Sequence, residues 1–330
     1  MKFAVLGAGG WGTAFSRLLA NAGHETTLWA RNPAQAEAVT RARENVKYLP
    51  GVRLPERGLT VTHDLKAASC GDALFVAVPS FAMEDTCKRI APFLAHRPVL
   101  VSLSKGLDRA SGQTMSEVIR ARVPEAAVFA LSGPSHAEEV GRDMPTAVVL
   151  AGEDQDLGRR LQSAVGTSRF RIYLSSDIRG VELCAAVKNV IAIATGISDG
   201  LGYGDNSRGA LITRGLAEMV RFARTLGVRE STFFGLSGLG DLVATCTSLH
   251  SRNRAVGVRL GRGESLDAIL KDMVMVAEGV FATRIVRDMA RTRGIEMPIT
   301  EAVDRLLEGT VDALSLVDEI MTREPKAEGR

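Results

Sequence analysis

A short apolar strand, Lys2–Leu6 (KFAVL), runs straight into Gly7–Gly12 (GAGGWG) and then into a helical pattern, TAFSRLLANAG. Few folds accept a strand, a glycine-rich turn and a helix with no residue between them. Gly7 permits the tight turn, Gly9 lets backbone approach a pyrophosphate, and Gly12 lets the helix pack closely on the strand. Phosphates then meet the free N–H groups of the helix N-terminus, which also brings Gly10 to the ligand. A glycine-rich turn can serve packing alone. In this context it predicts dinucleotide binding.

The next strand, Thr26–Ala30, ends in Arg31-Asn32. An enzyme restricted to NAD usually places an acid there for the ribose 2′-hydroxyl. Arg31 suits a 2′-phosphate instead, so NADP, or use of both NADP and NAD, is expected. Apolar runs recur at Leu59–Thr62, Ala73–Pro79, Pro98–Leu103, Ala127–Leu131, Thr146–Ala151 and Phe170–Leu174, with helical stretches such as Phe81–Ala95 and Gln155–Val165 between them. Strands apolar on both faces and alternating with helices predict a largely parallel sheet covered on both sides. Ligands bind such sheets beyond the carboxyl ends of the strands. Val78-Pro79-Ser80, Ser102–Leu107 (SLSKGL, with Lys105) and Ser132–His136 (SGPSH) all fall there.

After Asp177 the strand pattern stops and long helical patterns take over. The expected organisation is α/β: a Rossmann-type, largely parallel sheet domain over 1–178, then an all-α domain over 179–330. The second part opens on Gly180–Asp199 (GVELCAAVKNVIAIATGISD), apolar or small on nearly every side. A helix greasy all round is buried. Lys188 sits in its middle. Either its head snorkels to water, or burial lowers its pKa until it exchanges a proton near neutrality. Asp205–Leu226 is amphipathic with a basic face (Arg208, Arg214, Arg221, Arg224). Gly235–Gly240 (GLSGLG) reads as a flexible turn leading to Asp241, and His250–Arg254 (HSRNR) as a phosphate cradle or a capped helix start.

A net charge of +3 on 330 residues gives no reason to expect nucleic acid or a membrane surface as partner. The four cysteines show no metal spacing, which suits reduced thiols in a cytoplasmic protein, and no metal is expected. No secretory n-region precedes the first strand. Arg323–Arg330 is polar and expected to fray.

Together GAGGWGTA, SLSKGL, SGPSHAEEV, GVELCAAVKNVIAIATGISDGLGYGDN, ALITRGLAEM, GLSGLGDLVATCTS, SRNR and VAEGV resemble, in order and over almost the whole chain, the bacterial-type NAD(P)-dependent glycerol-3-phosphate dehydrogenases. The resemblance implies Lys188 as catalytic proton acceptor. It implies substrate contacts at Lys105, Gly133, Ser135, Asp241, Ser251, Arg252 and Asn253. Lys105 and Arg252 also match cofactor positions, alongside Trp11, Arg31, Ala137, Val276 and Glu278. The chain departs from the family pattern at Gly10 (often serine), Asn32 (often a second basic residue), Cys184-Ala185-Ala186 (usually richer in glycine) and His136 (commonly phenylalanine).

The implied reaction interconverts dihydroxyacetone phosphate and sn-glycerol 3-phosphate, feeding phospholipid synthesis. Arg252 and Asn253 would take the phosphate, and Asn189, Asp241 and Lys105 would orient Lys188 or the substrate hydroxyls. From the residues alone, a hydroxy-acid dehydrogenase of the same build and a non-catalytic dinucleotide sensor stay open. A sensor needs neither a lysine inside an apolar helix nor a second anion site. A homodimer is compatible with the sequence, which does not set the assembly.

Overall fold

The computed structural model describes residues 1–322, so the expectation for Arg323–Arg330 lies outside it. Ten strands occur in chain order: β1 Lys2–Leu6, β2 Glu25–Trp29, β3 Glu44–Asn45, β4 Leu49–Arg53, β5 Leu59–Thr62, β6 Ala73–Val76, β7 Val99–Ser102, β8 Ala127–Ser132, β9 Thr146–Gly152 and β10 Phe170–Ser175. Eight of them form one sheet in the order β10-β9-β8-β7-β6-β1-β2-β5. Neighbours run parallel except β8 with β9. The chain leaves β1 towards β2 and β5 on one side, then returns through β6, β7 and β8 on the other. The reversal falls between β1 and β6, and such a switch point opens a crevice at the strands' carboxyl ends. Leu6 lies opposite both Trp29 and Val76 there. Gly7, Arg31, Ala77 and Lys105 therefore follow directly from strand ends on one edge.

Two predicted elements differ in detail. The stretch Phe81–Ala95 is α-helical only over Met83–Ile90, because Pro92 in the next turn cannot donate an N–H to the ladder. The small antiparallel ribbon of β3 and β4 is not evident from the apolar pattern, since it carries only scattered buried residues.

Among the described residues, every regular element after Ser175 is helical. The longest, the central helix Ile178–Gly200, is buried from Val181 to Ser198. Its length and composition would let it cross a membrane, yet its most apolar window is 100% buried inside the protein. Asp177 caps it, accepting from the Gly180 N–H at 3.0 Å, and the same carboxylate accepts from Thr232 Oγ1 at 2.6 Å. Glu182, also buried, takes the Ser116 N–H at 2.8 Å, tying the central helix to the start of a helix on the sheet.

The closest helix–helix approach is to Arg252–Gly261. A Cβ built on Gly257 would lie 2.1 Å from the Ile193 carbonyl oxygen, and one on Gly196 would lie 2.2 Å from that of Arg254. Gly200 and Gly261 repeat the contact one turn on. Backbone meets backbone along this seam with no side chain between. Three of the four arginines on the basic face of Asp205–Arg224 are committed: Arg208 pairs with Asp199, Arg224 with Glu230, and Arg221 donates to the Glu296 carbonyl oxygen.

Candidate active site

One cleft of about 420 Å³ runs from the glycine turn to the central helix. At its sheet end, Gly7 has φ +119° and faces the Ala77 carbonyl, while a Cβ on Gly12 would overlap the Gly7 carbonyl oxygen at 1.9 Å. Gly9 has open space where its Cβ would project. Two amides brace the turn: Asn45 Nδ2 donates to the Ala8 carbonyl oxygen at 3.0 Å, and Gln35 Nε2 does so at 2.7 Å. Gly10 lies under the Tyr48 carbonyl, which a Cβ would approach to 2.7 Å. That contact accounts for glycine where serine is common: the loop between β3 and β4 sits directly on the turn.

The buried Trp11 Nε1 has no hydrogen-bond partner among the described residues and lines the cleft. An orphaned donor beside an open glycine turn at a helix N-terminus fits a dinucleotide pyrophosphate. Arg31, Ala137, Val276 and Glu278 border the same cleft.

At the other end Lys188 and Asp241 are 3% and 2% exposed, and their charged atoms lie 3.1 Å apart. Lys105 reaches the second oxygen of Asp241 at 2.9 Å. Burial lowers the Lys188 pKa; Asp241 opposes the shift and Lys105 adds to it, leaving Lys188 at about 8. Burial also pushes Asp241 up, but the two ammoniums outweigh it and hold the carboxyl below its ordinary value. An ammonium has three donors. Those of Lys188 go to Asp241 and to Thr245 Oγ1, and those of Lys105 to Asp241 and the Gly133 carbonyl oxygen, 2.8 Å away. Each lysine thus keeps one donor uncommitted, and both border the cleft.

Ser135, Ser251, Arg252 and Asn253 complete that end. Ser251 caps the Arg252–Gly261 helix, accepting from the Arg254 N–H at 3.2 Å, so the free N–H groups of its first turn open beside Arg252. Arg252 donates to the Val276 carbonyl oxygen at 2.8 Å. Asn253 is largely committed: its amide donates to Asn189 Oδ1 at 2.8 Å, and its oxygen accepts from the Gly279 N–H at 2.9 Å. Gly133 is the one candidate that does not line the cleft; it stands behind Lys105 and holds it through its carbonyl.

The seam between sheet and helices is closed by Glu278, which accepts from the Ser80 N–H at 2.9 Å and the Ser80 hydroxyl at 2.6 Å. Arg109 lies 3.3 Å from the Phe281 ring centre and 4.7 Å from that of Phe81. The turn Gly235–Gly240, read from its composition as flexible, is one wide ordered helical turn: the Gly240 N–H donates to the Gly235 carbonyl oxygen at 3.1 Å. It passes directly into Asp241–Thr247, and such widened turns often sit at functional sites. Thr245 has no role in the sequence reading. Its spacing from Asp241, one helical turn, was the available signal.

Two family models match the chain: NAD-dependent glycerol-3-phosphate dehydrogenase N-terminus over residues 2–158 and its C-terminus over residues 177–318. The chain is 48% identical to a glycerol-3-phosphate dehydrogenase (NAD(P)+) of Chlorobium limicola, covering 99% of both chains. It is 50% identical to the protein of that name from Nitratidesulfovibrio vulgaris strain DP4, covering 99% of this chain and 100% of the other. A crystal structure of glycerol-3-phosphate dehydrogenase from Coxiella burnetii superimposes with a TM-score of 0.93 at 39% identity, covering 98% of this chain and 99% of that one.

Proposed function

The chain belongs to the NAD(P)-dependent glycerol-3-phosphate dehydrogenases, and from that premise we propose that Lys188 is the proton donor when dihydroxyacetone phosphate is reduced and the acceptor when sn-glycerol 3-phosphate is oxidised. The bound nicotinamide supplies or takes the hydride at C2 of the substrate. The observation that carries the reading is the Lys105–Asp241–Lys188 set, Asp241 and Lys188 buried and Lys105 half-buried, with one ammonium donor of each lysine left for a ligand in the cleft.

In reduction, Lys188 donates a hydrogen bond to the C2 oxygen, stabilises the charge growing there and passes it a proton, ending as a neutral amine. Asp241 keeps the ammonium in place and Thr245 fixes its direction. Lys105 takes a neighbouring substrate oxygen. Arg252 and the first-turn N–H groups beside it bind the substrate phosphate, holding C2 in line. Residues 1–178 serve the cofactor, through Gly7, Gly9, Gly10, Trp11, Gly12, Arg31 and Ala137, and lend Lys105 and Ser135 to the substrate; residues 179–330 supply the other substrate groups, with Val276 and Glu278 reaching back to the cofactor. The product feeds phospholipid synthesis in the cytoplasm, a role that rests on the family resemblance.

Oxidation of NADPH or NADH on adding dihydroxyacetone phosphate tests the reaction, and Arg252→Ala tests the handle. A lost charge-assisted contact should raise KM for dihydroxyacetone phosphate roughly tenfold to a hundredfold. Unphosphorylated dihydroxyacetone should lose far less, and equal losses would move Arg252 out of the phosphate site.

The Lys188 pKa of about 8 sets opposite pH profiles for the two directions. Reduction needs the ammonium, so its kcat/KM, which reports the enzyme before substrate binds, should fall as pH rises through about 8. Oxidation needs the free amine and should rise through the same point. His136, which also lines the cleft, is held below its ordinary value by burial and stays neutral in that window. Parallel profiles in the two directions would count against Lys188 as the proton-transfer group.

A further inference from the structure

Asn32, where the family often carries a second basic residue, offers no cation, and its side-chain oxygen is already committed. Its Oδ1 accepts from the Ala34 N–H at 2.9 Å and caps the helix Pro33–Ala42. Arg31 beside it is exposed and has no hydrogen-bond or ion-pair partner among the described residues. A single exposed arginine is a weak grip on a phosphate dianion.

A second guanidinium comes from elsewhere. Trp29, the last residue of β2, is pinned by its indole N–H to the His63 carbonyl oxygen at 3.1 Å. Over its ring, at 5.6 Å from the centroid, lies the guanidinium of Arg89 from the helix Met83–Ile90. Arg31 follows Trp29 by two residues, about 7 Å of extended chain. Both arginines border the cleft at the strand end where a dinucleotide's adenosine ribose falls.

Resting on the reading of this cleft as the cofactor site, we propose that Arg89 is a specificity residue, gripping the 2′-phosphate of NADPH jointly with Arg31. Arg89 supplies the second cation that position 32 lacks, and Trp29 presents it. The geometry leaves it free to do so: its ion pair with Asp85, one helical turn earlier, is 3.6 Å long and exposed on both sides, so water already competes for it. Asp85 also borders the cleft and, as a carboxylate, suits the 2′-hydroxyl of NADH when no phosphate claims Arg89. The pair thus accommodates either cofactor, with the arginines favouring the phosphorylated one.

Calorimetric titration with 2′,5′-ADP and 5′-AMP reads the 2′-phosphate term directly, with no nicotinamide and no turnover. The wild-type protein should bind 2′,5′-ADP more tightly. Arg89→Ala should reduce the ratio of the two affinities roughly three- to tenfold, Arg31→Ala by a similar factor, and the double variant further. Arg89→Glu should reverse part of the preference, and raising the salt concentration should erode the wild-type ratio more than that of Arg89→Ala. An unchanged ratio in Arg89→Ala, or equal loss of both probes, would overturn the proposal and leave Arg89 as packing on Trp29 or on the adenine. A wild-type protein that binds neither probe would overturn the cofactor assignment of the cleft, and this proposal with it.

Discussion

Lys188→Ala should fold, bind NADPH and turn over almost nothing. Removing a positioned proton-transfer group costs typically 10²–10⁴-fold in kcat, and losing its charge at the carbonyl oxygen adds to that. Folding should survive because of how the charges are shared. Deleting one partner of an isolated buried pair strands the other, but Asp241 keeps Lys105 at 2.9 Å when Lys188 is gone. Lys188→Met, which fills the space of the lysine stem without a charge, separates lost packing from lost chemistry and should be as inactive as the alanine variant. Lys188→Arg keeps a cation but does not release its proton, and should fail too. Steady-state rates, a thermal melt and a cofactor titration on each variant make the check. A folded Lys188→Ala protein with near-normal kcat would sink the mechanism.

Gly257→Ala should be among the most damaging one-carbon changes in the helical half, destabilising the protein by about 3 kcal/mol or more in urea unfolding. Its new methyl carbon would meet the Ile193 carbonyl oxygen at 2.1 Å and the Ile197 nitrogen at 2.8 Å, and backbone cannot step aside like a flexible side chain. The natural control has the opposite sign. Gly209, in the helix Asp205–Arg224, is exposed and has nothing within 4 Å of its Cβ position. Gly209→Ala should therefore stabilise by roughly 0.5–1 kcal/mol, the ordinary helix-interior preference. If Gly257→Ala proved neutral, the seam would be looser than described. Because Arg252 and Lys188 stand on the two helices that this seam joins, any residual activity of Gly257→Ala should show a raised KM for dihydroxyacetone phosphate.

Sequence reading reached furthest where one short stretch carries its own constraint. Gly7, Gly9 and Gly12 each answer to a local need of turn or close approach, so strand, turn and helix were legible from adjacent residues. The central helix was legible for the same reason, being apolar on every side. What could not be read was pairing at a distance. Lys105 and Asp241 are 136 residues apart and Ser80 and Glu278 are 198 apart, and no period or spacing links them. Thr245 looks like any helix threonine until Lys188 is seen to donate to it. Composition misled at Gly235–Gly240, where glycine suggested mobility but the residues form a closed, hydrogen-bonded turn. Asn32 was counted as a missing cation, whereas its role is a cap and a candidate for the cation stands on another helix.

The chain of amides from Asn189 through Asn253 to Gly279 has a mechanical consequence. It stitches the helix that bears Lys188, the helix that bears Arg252 and the helix begun by Glu278 into a single frame, reinforced where glycine lies on glycine. The distance between Arg252 and Lys188 is a fixed dimension of that frame. Slip between the sheet and the helices, across Ser80–Glu278 and the Phe81–Arg109–Phe281 stack, would leave that dimension alone and shift the frame against the glycine turn and Lys105. The Lys105–Asp241 pair spans the same joint, so any slip there is registered first at Lys105.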